Sequence, residues 1–335
     1  MFSNKNTLLK VFTKKIKLIP ISLLIGSSFL LAACGSDSDD DKTMVSFAVA
    51  DAPVDHAEEV VVAIDAIELV REGEENIMLD VSDGDLSYAQ VDLKQFQGGD
   101  SKIILDETEL APGVYQNLIL HVLDDSDGDD YSYVTEMENG SKVPMKQPSQ
   151  KLKLGGFEVV AGGVQRFTIH FDLRTALVEN KNGQRYNLKP HGVTIVDNET
   201  VASLSGMVNV NLFCDADLNA GNFVYLYPGH DLTEEQLVDN YNPAVTQINT
   251  LPVNAVAPMY STAVTMVTEN EDVGYRYAFG FIPEGDYTVA FTCSGANDDE
   301  EQYDELMIAN PTDQLEPVVL SNDEDKVYDF VEKSS

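Results

Sequence analysis

The sequence predicts a mostly β protein made of two consecutive β-sandwich-like domains behind an N-terminal leader. Three observations predict it. Beyond residue 44 the apolar runs are short, rich in β-branched and aromatic residues, and bounded by Gly, Pro, Asn or Asp, with no sustained helical periodicity. About 300 of the 335 residues follow the leader, enough for two domains of ordinary size. The composition, 43% hydrophobic and 23% charged, is that of a chain able to bury real cores.

Residues 1–17 hold five lysines and no acid, and residues 18–33 form an apolar run interrupted by Pro20 and Gly26. This is a signal-peptide pattern. The run falls short of the roughly 20 residues that span a bilayer. It ends at Leu31-Ala32-Ala33-Cys34, which resembles the bacterial lipobox. The resemblance implies a lipoprotein signal peptide over 1–33, cleavage before Cys34, and diacylglycerol on the Cys34 thiol as a membrane anchor. Ordinary secretory cleavage with an incidental Cys34 is the alternative. Gly35 and Ser36 stand where an Asp would retain such a protein at the inner membrane, so the resemblance favours the outer membrane, facing the periplasm or the exterior. Residues 34–43 read as the lipidated Cys and a self-repelling acidic tether.

In the first domain, 44–198, runs at 45–50, 60–70, 102–105, 115–123, 165–173 and 193–196 are expected to be strands. Within 165–173, Phe167, Ile169, Phe171 and Leu173 alternate with Thr168, His170 and Asp172, as on a sheet with one buried face. Asp197 to Thr200 marks the boundary. The second domain, 203–335, offers about seven runs: 208–213, 222–227, 261–268, 274–281, 287–292, 318–320 and 327–331. Thr233-Glu234-Glu235-Gln236 fits a capping box, with room for about two helical turns before Asn240 and Pro243. Ala111-Pro112-Gly113-Val114-Tyr115 and Pro283-Glu284-Gly285-Asp286-Tyr287 echo each other, each leading into an apolar strand. With Cys34 assigned to lipid, Cys214 and Cys293 remain in an exported compartment, where a disulfide is the natural inference; two buried thiols or a metal pair are the alternatives.

Several segments resemble the bacterial domain-of-unknown-function 4382 family over about 44–198. They are Ala50-Asp51-Ala52-Pro53-Val54-Asp55, Val91-Asp92-Leu93 with Gln97-Gly98-Gly99, Leu110 to Tyr115, His170-Phe171-Asp172-Leu173-Arg174, and Leu188-Lys189-Pro190. The second block looks like the transthyretin-like, carboxypeptidase-regulatory-like sandwiches, on the Pro-x-Gly-x-Tyr turn and little else. The resemblance implies a domain order and a cell-envelope location and no chemistry.

After the leader, 16 Lys and Arg face 57 Asp and Glu, a net charge of −41. Such a surface repels phosphate backbones and anionic head groups, which excludes nucleic acid as a partner. Asp125, Asp127 and Asp129 follow a strand and invite a calcium reading, as do Asp215, Asp217 and Asn219, but neither frame fits an EF-hand; a hairpin turn and a polar connection are the bland readings. The histidines His56, His121, His170, His191 and His230 show no zinc-enzyme pairing; His121 and His170, with Asp172, could meet on neighbouring strands. No nucleophile elbow or phosphate-cradling loop is present. Tyr225 and Tyr227, and likewise Tyr275 and Tyr277, alternate with other residues and offer either a stacking platform for a sugar or peptide, or a sandwich core. The expectation is therefore a non-enzymatic envelope binding or scaffolding component, without cofactor or metal, that engages an envelope protein. A carbohydrate-binding module with a polysaccharide partner is the alternative, and an enzyme built on calcium or surface histidines a third reading.

Overall fold

The computed structural model describes residues 42–52, 57–125, 128–137, 139–180, 184–214, 221–243, 246, 250–269, 272–299 and 302–333. Strands up to Asp197 pair with one another, strands from Val201 onward likewise, and the two halves pack into one compact unit.

The first half is a pair of facing sheets. One has the order Val193–Asp197, Val164–Asp172, Thr43–Ala52, Lys102–Leu110, with Thr43–Ala52 parallel to Val164–Asp172. The other is built on Ala57–Val70, whose length lets each edge serve two partners. Asn117–Val122 and Tyr133–Glu136 take one edge, and Ala89–Asp92 and Ile77–Asp80 the other. Phe47, Phe167, Ile169 and Phe171 meet Val60, Val62, Ile64 and Ile67 in the core between them.

The second half is a sandwich of two four-stranded sheets. The first runs Thr265–Glu269, Asp272–Pro283, Val201–Met207, Asp325–Val327; the second runs Tyr260–Ala263, Phe223–Pro228, Gly285–Thr292, Leu315–Leu320. Tyr275, Tyr277 and Phe279 face Val224, Leu226, Val289 and Phe291 across the core. Phe223, Tyr225 and Tyr227 point to the opposite face of their sheet and are buried there with Leu237, Ile308 and Ala309.

The mostly β fold and five of the six first-half runs match the expectation, and several details are corrected: residues 115–123 break at Gln116 into Gly113–Tyr115 and Asn117–Val122, which belong to different sheets. Residues 208–213 are not a strand, because the Asn209 side chain accepts from the Asn211 amide and turns the chain into the short 3-10 helix Val210–Leu212. Residues 261–268 form two strands in opposite sheets, the chain crossing at buried Val264, whose amide donates to Asn222 O. The helix at 233 is a single 3-10 turn, Glu234–Gln236. Gln236 Oε1 does accept from the Thr233 amide at 3.0 Å, but the main chain then leaves for a bridge between Leu237 and Val256. The Asp-rich segment after Val122 is not a hairpin turn, since the strands it joins lie end to end along one edge of Ala57–Val70. Thr168, His170 and Asp172 do not face solvent either; all three are at most 2% exposed.

Candidate functional site

The second half covers that face of the strand from Thr168 to Asp172, and the seam between the halves gathers several buried polar side chains. The strand ends in a single helical turn, Leu173–Ala176, with Asp172 Oδ2 accepting from Thr175 Oγ1 at 3.1 Å. Gly192 allows the neighbouring chain to close on this turn, where a Cβ would lie 2.8 Å from that of Thr175. The turn sends Arg174 out of the first half. Its guanidinium lies 3.9 Å over the Phe223 ring, with Nη2 3.4 Å from Asp298 Oδ2 and Nη1 3.5 Å from the Tyr225 hydroxyl.

Asp298 is the hub of the second half's side of the seam. Its Oδ2 accepts from Tyr225 at 2.7 Å and from Asn240 Nδ2 at 2.9 Å, and Asn240 also donates to Ser261 Oγ at 3.1 Å. Burial pushes the Asp298 carboxyl up, and Arg174, Tyr225 and Asn240 pull it back toward the charged form. Burial likewise raises the Tyr225 hydroxyl far above its ordinary range, so Tyr225 acts here as a donor. Asp239, holding the Leu306 amide at 2.8 Å, is pushed up to about 7 by burial.

Further along the seam, His170 meets Tyr260 edge-on at 4.9 Å and Phe281 at 6.3 Å. Desolvation lowers His170 to about 4 and raises Asp172 to about 6. Asp51 is pushed well up by burial and, next, by the charge of Asp172. Ala50, Val196 and Phe281 form an apolar patch beside these groups, and Gly280 passes under the backbone of Gly98 so closely that only glycine fits. Arg174 crosses from one half to Asp298 and Tyr225 in the other, while Thr168 Oγ1, His170 Nδ1 and Asp172 Oδ1 are buried without a hydrogen-bond partner among the described residues.

The residues singled out from sequence are placed differently. Tyr225 joins the seam, Tyr227 donates to Val238 O at 2.8 Å, Tyr277 donates to Tyr328 O at 2.8 Å, and Tyr275 packs on Phe213. All four are at most 9% exposed, so neither tyrosine row is a stacking platform. Cys214 and Cys293 are disulfide-bonded, with Cα atoms 5.4 Å apart. Asp125 Oδ1 accepts from the Asp130 amide at 3.3 Å, and Asp129 is exposed. Cys34, His56, Asp127, Asp215, Asp217 and Asn219 lie outside the described residues. No group of three or more His, Cys, Asp or Glu among the described residues is placed to hold a metal.

His121 and His170 belong to different sheets, which corrects their expected approach. His121 instead lies 2.8 Å from Glu68, which also accepts from Lys151 at 2.8 Å and Asn76 at 2.7 Å; these partners hold the Glu68 carboxyl down at about 2. Sequence reasoning missed Asp298 and the role of Arg174. The signal available was Arg174 at the end of the His170 to Arg174 segment, in a strand whose polar face has no solvent to meet.

Residues 42–190 match the family described as "Domain of unknown function (DUF4382)". No curated protein matches the chain. Among solved structures, the Bacillus anthracis TIE protein is similar at 10% identity and a TM-score of 0.17; the match covers 87% of this chain and only 34% of that one. A candidate cell adhesion protein from Bacteroides fragilis is similar at 9% identity and a TM-score of 0.23, over 88% of this chain and 95% of that one. The fimbrial anchor protein Mfa2 from Porphyromonas gingivalis is similar at 11% identity and a TM-score of 0.15, over 76% and 80%. At TM-scores this low, none of the three bears on what this chain does.

Proposed function

We propose, for a chain whose residues 42–190 belong to the DUF4382 family, the role of an outer-membrane lipoprotein that acts as a non-enzymatic binding or scaffolding component of the envelope. Leu31-Ala32-Ala33-Cys34 carries this reading, after a lysine-rich start and an apolar run that ends in small residues. Lipid on Cys34 supplies the attachment, since each buried methylene contributes about 0.8 kcal/mol and two or more chains anchor stably. The Cys214–Cys293 bridge accords with an oxidising compartment. One cluster at the seam supports the non-enzymatic part, because Arg174, Tyr225, Asn240 and Asp298 are engaged with one another. In this role the two halves stand from the membrane as one body and present loops and sheet faces to a partner.

Mass spectrometry of the native protein tests the anchor. Cys34 is expected at the new N-terminus with diacylglycerol on sulfur. An unmodified Cys34 or an uncut leader would overturn it. Crosslinking on intact cells is expected to recover one reproducible envelope partner, and repeated failure across growth conditions would remove the binding role.

A further inference from the structure

Three adjoining cavities of about 460, 370 and 340 Å³ open on the outer face of the sheet that contains Asp272–Pro283, and all three are lined by Arg276. Small residues, Gly274, Ala278, Ser203 and Ser205, leave the depression along this face. At its apolar end stand Met207, Val273 and Val327, which are 39%, 58% and 67% exposed.

Charge marks the centre. From residue 203 on the chain has 24 acids and only three bases, Arg276, Lys326 and Lys333. Lys326 pairs with Glu324 at 3.2 Å and Lys333 with Glu316 at 3.4 Å. Arg276 is exposed, and its guanidinium makes no ion pair or hydrogen bond among the described residues. Arg276, without an ion-pair partner among the described residues, thus stands where the three cavities meet.

We propose that this groove binds an extended polypeptide segment of a partner protein, with a single carboxylate side chain flanked on one side by apolar residues and on the other by small polar ones. The carboxylate meets Arg276 through paired N–H donors, and the apolar side chains lie against Met207, Val273 and Val327. The thioether of Met207 adapts to irregular apolar groups. Asp100, carried on the Gln97–Asp100 loop of the other half, and Asp325 and Asp329 stand on the same walls and, with the acidic surroundings, repel a polyanion, so one negative charge is what the site accepts. The inference rests on the binding role proposed above and specifies the partner's chemistry.

Anisotropy titration of the folded chain with labelled seven-residue peptides tests it, the probe carrying a central Glu with apolar residues on one side and Ser and Gly on the other, and the control carrying Gln in place of the Glu. Saturable binding of the Glu peptide is expected, weakened about tenfold or more in the Gln control and in Arg276→Gln. Val327→Asp, also on the surface, is expected to abolish binding. Equal binding of both peptides, undiminished binding by Arg276→Gln, or no binding of the Glu peptide would each overturn the proposal. A photocrosslinker at Val327 and another at Val160, 61% exposed in the other half, separate the two readings on intact cells. Capture from Val160 alone overturns the groove and keeps the binding role, capture from neither overturns both, and capture from Val327 that Arg276→Gln removes supports both.

Discussion

Asp172 and His170 lie two residues apart on one strand face, and burial drives them in opposite directions on the pH axis. Asp172 rises from 3.8 to about 6 on folding, which favours its neutral form. Its contribution to stability is full below about pH 4 and is lost as pH rises through 6. His170 falls from 6.5 to about 4, so its contribution is full above 6.5 and is lost as pH falls through 4. Asp172→Asn removes the first dependence. Urea unfolding of this variant should lose the decline between pH 4 and 6 and, at pH 7, exceed the parent by up to roughly 3 kcal/mol. A parallel pair of curves would contradict the burial argument. Arg174→Met leaves the Asp298 carboxylate, whose side chain is fully buried, without its counter-charge, at a cost of about 3–5 kcal/mol. Adding Asp298→Leu should recover most of that loss in a double-mutant cycle, and additive losses would show that the two residues do not act as a pair. Arg174 was visible in the sequence as part of a segment. Its partner, 124 residues later, was not, because nothing local to Asp298 distinguishes it from its acidic neighbours.

The echo between the two Pro-Gly-Tyr turns has a physical basis that the sequence alone did not disclose. Tyr115 donates to Ala111 O and Tyr287 to Pro283 O, both at 2.9 Å and both four residues back, so each tyrosine ties down the turn that launches its strand. The Gln97-Gly98-Gly99 loop has a comparable explanation. A Cβ at Gly280 would lie 1.7 Å from Gly98 O, so the loop rests directly on the strand Asp272–Pro283 of the other half. Gly280→Ala should therefore destabilise by about 1–3 kcal/mol in urea unfolding, while Gly99→Ala, with open space around it, changes little. Equal effects at the two positions would argue against the close approach. Strand existence was legible here because β-branched and aromatic runs fit a pleated surface wherever they pair. Strand ends were not, since Asn209 and Val264 act through hydrogen bonds to chain elsewhere.

Residues 34–335 carry a formal charge of −41, and the two halves of the folded body share a buried seam, so repulsion acts on the folded form as a unit. Screening should relieve it. The thermal midpoint is expected to rise between low salt and about 0.5 M NaCl, and an unchanged midpoint would show that the acids are already compensated. The seam also alters what a two-sandwich reading means. Composition and length pointed to consecutive units, and strand pairing does respect a division near Asp197. From Thr168 to Asp172 the polar face of the strand Val164–Asp172 is nonetheless as buried as its apolar face, which makes the first half's surface part of the second half's environment.

The sequence by itself determined the β class, most of the strands and the acidic character of the surface, and it pointed to a Cys214–Cys293 bridge while leaving free thiols or a metal pair open until the structure showed the bond. Each of these follows from side-chain pattern, residue count or local turn chemistry. Only the tertiary structure decided that the tyrosine rows are core, that His121 and His170 are apart, that Arg174 crosses to Asp298, and that Arg276 lines a groove without an ion-pair partner among the described residues. An alternating strand reads the same whether its second face meets water or another domain, and which of the two it meets depends on contacts between residues more than a hundred positions apart.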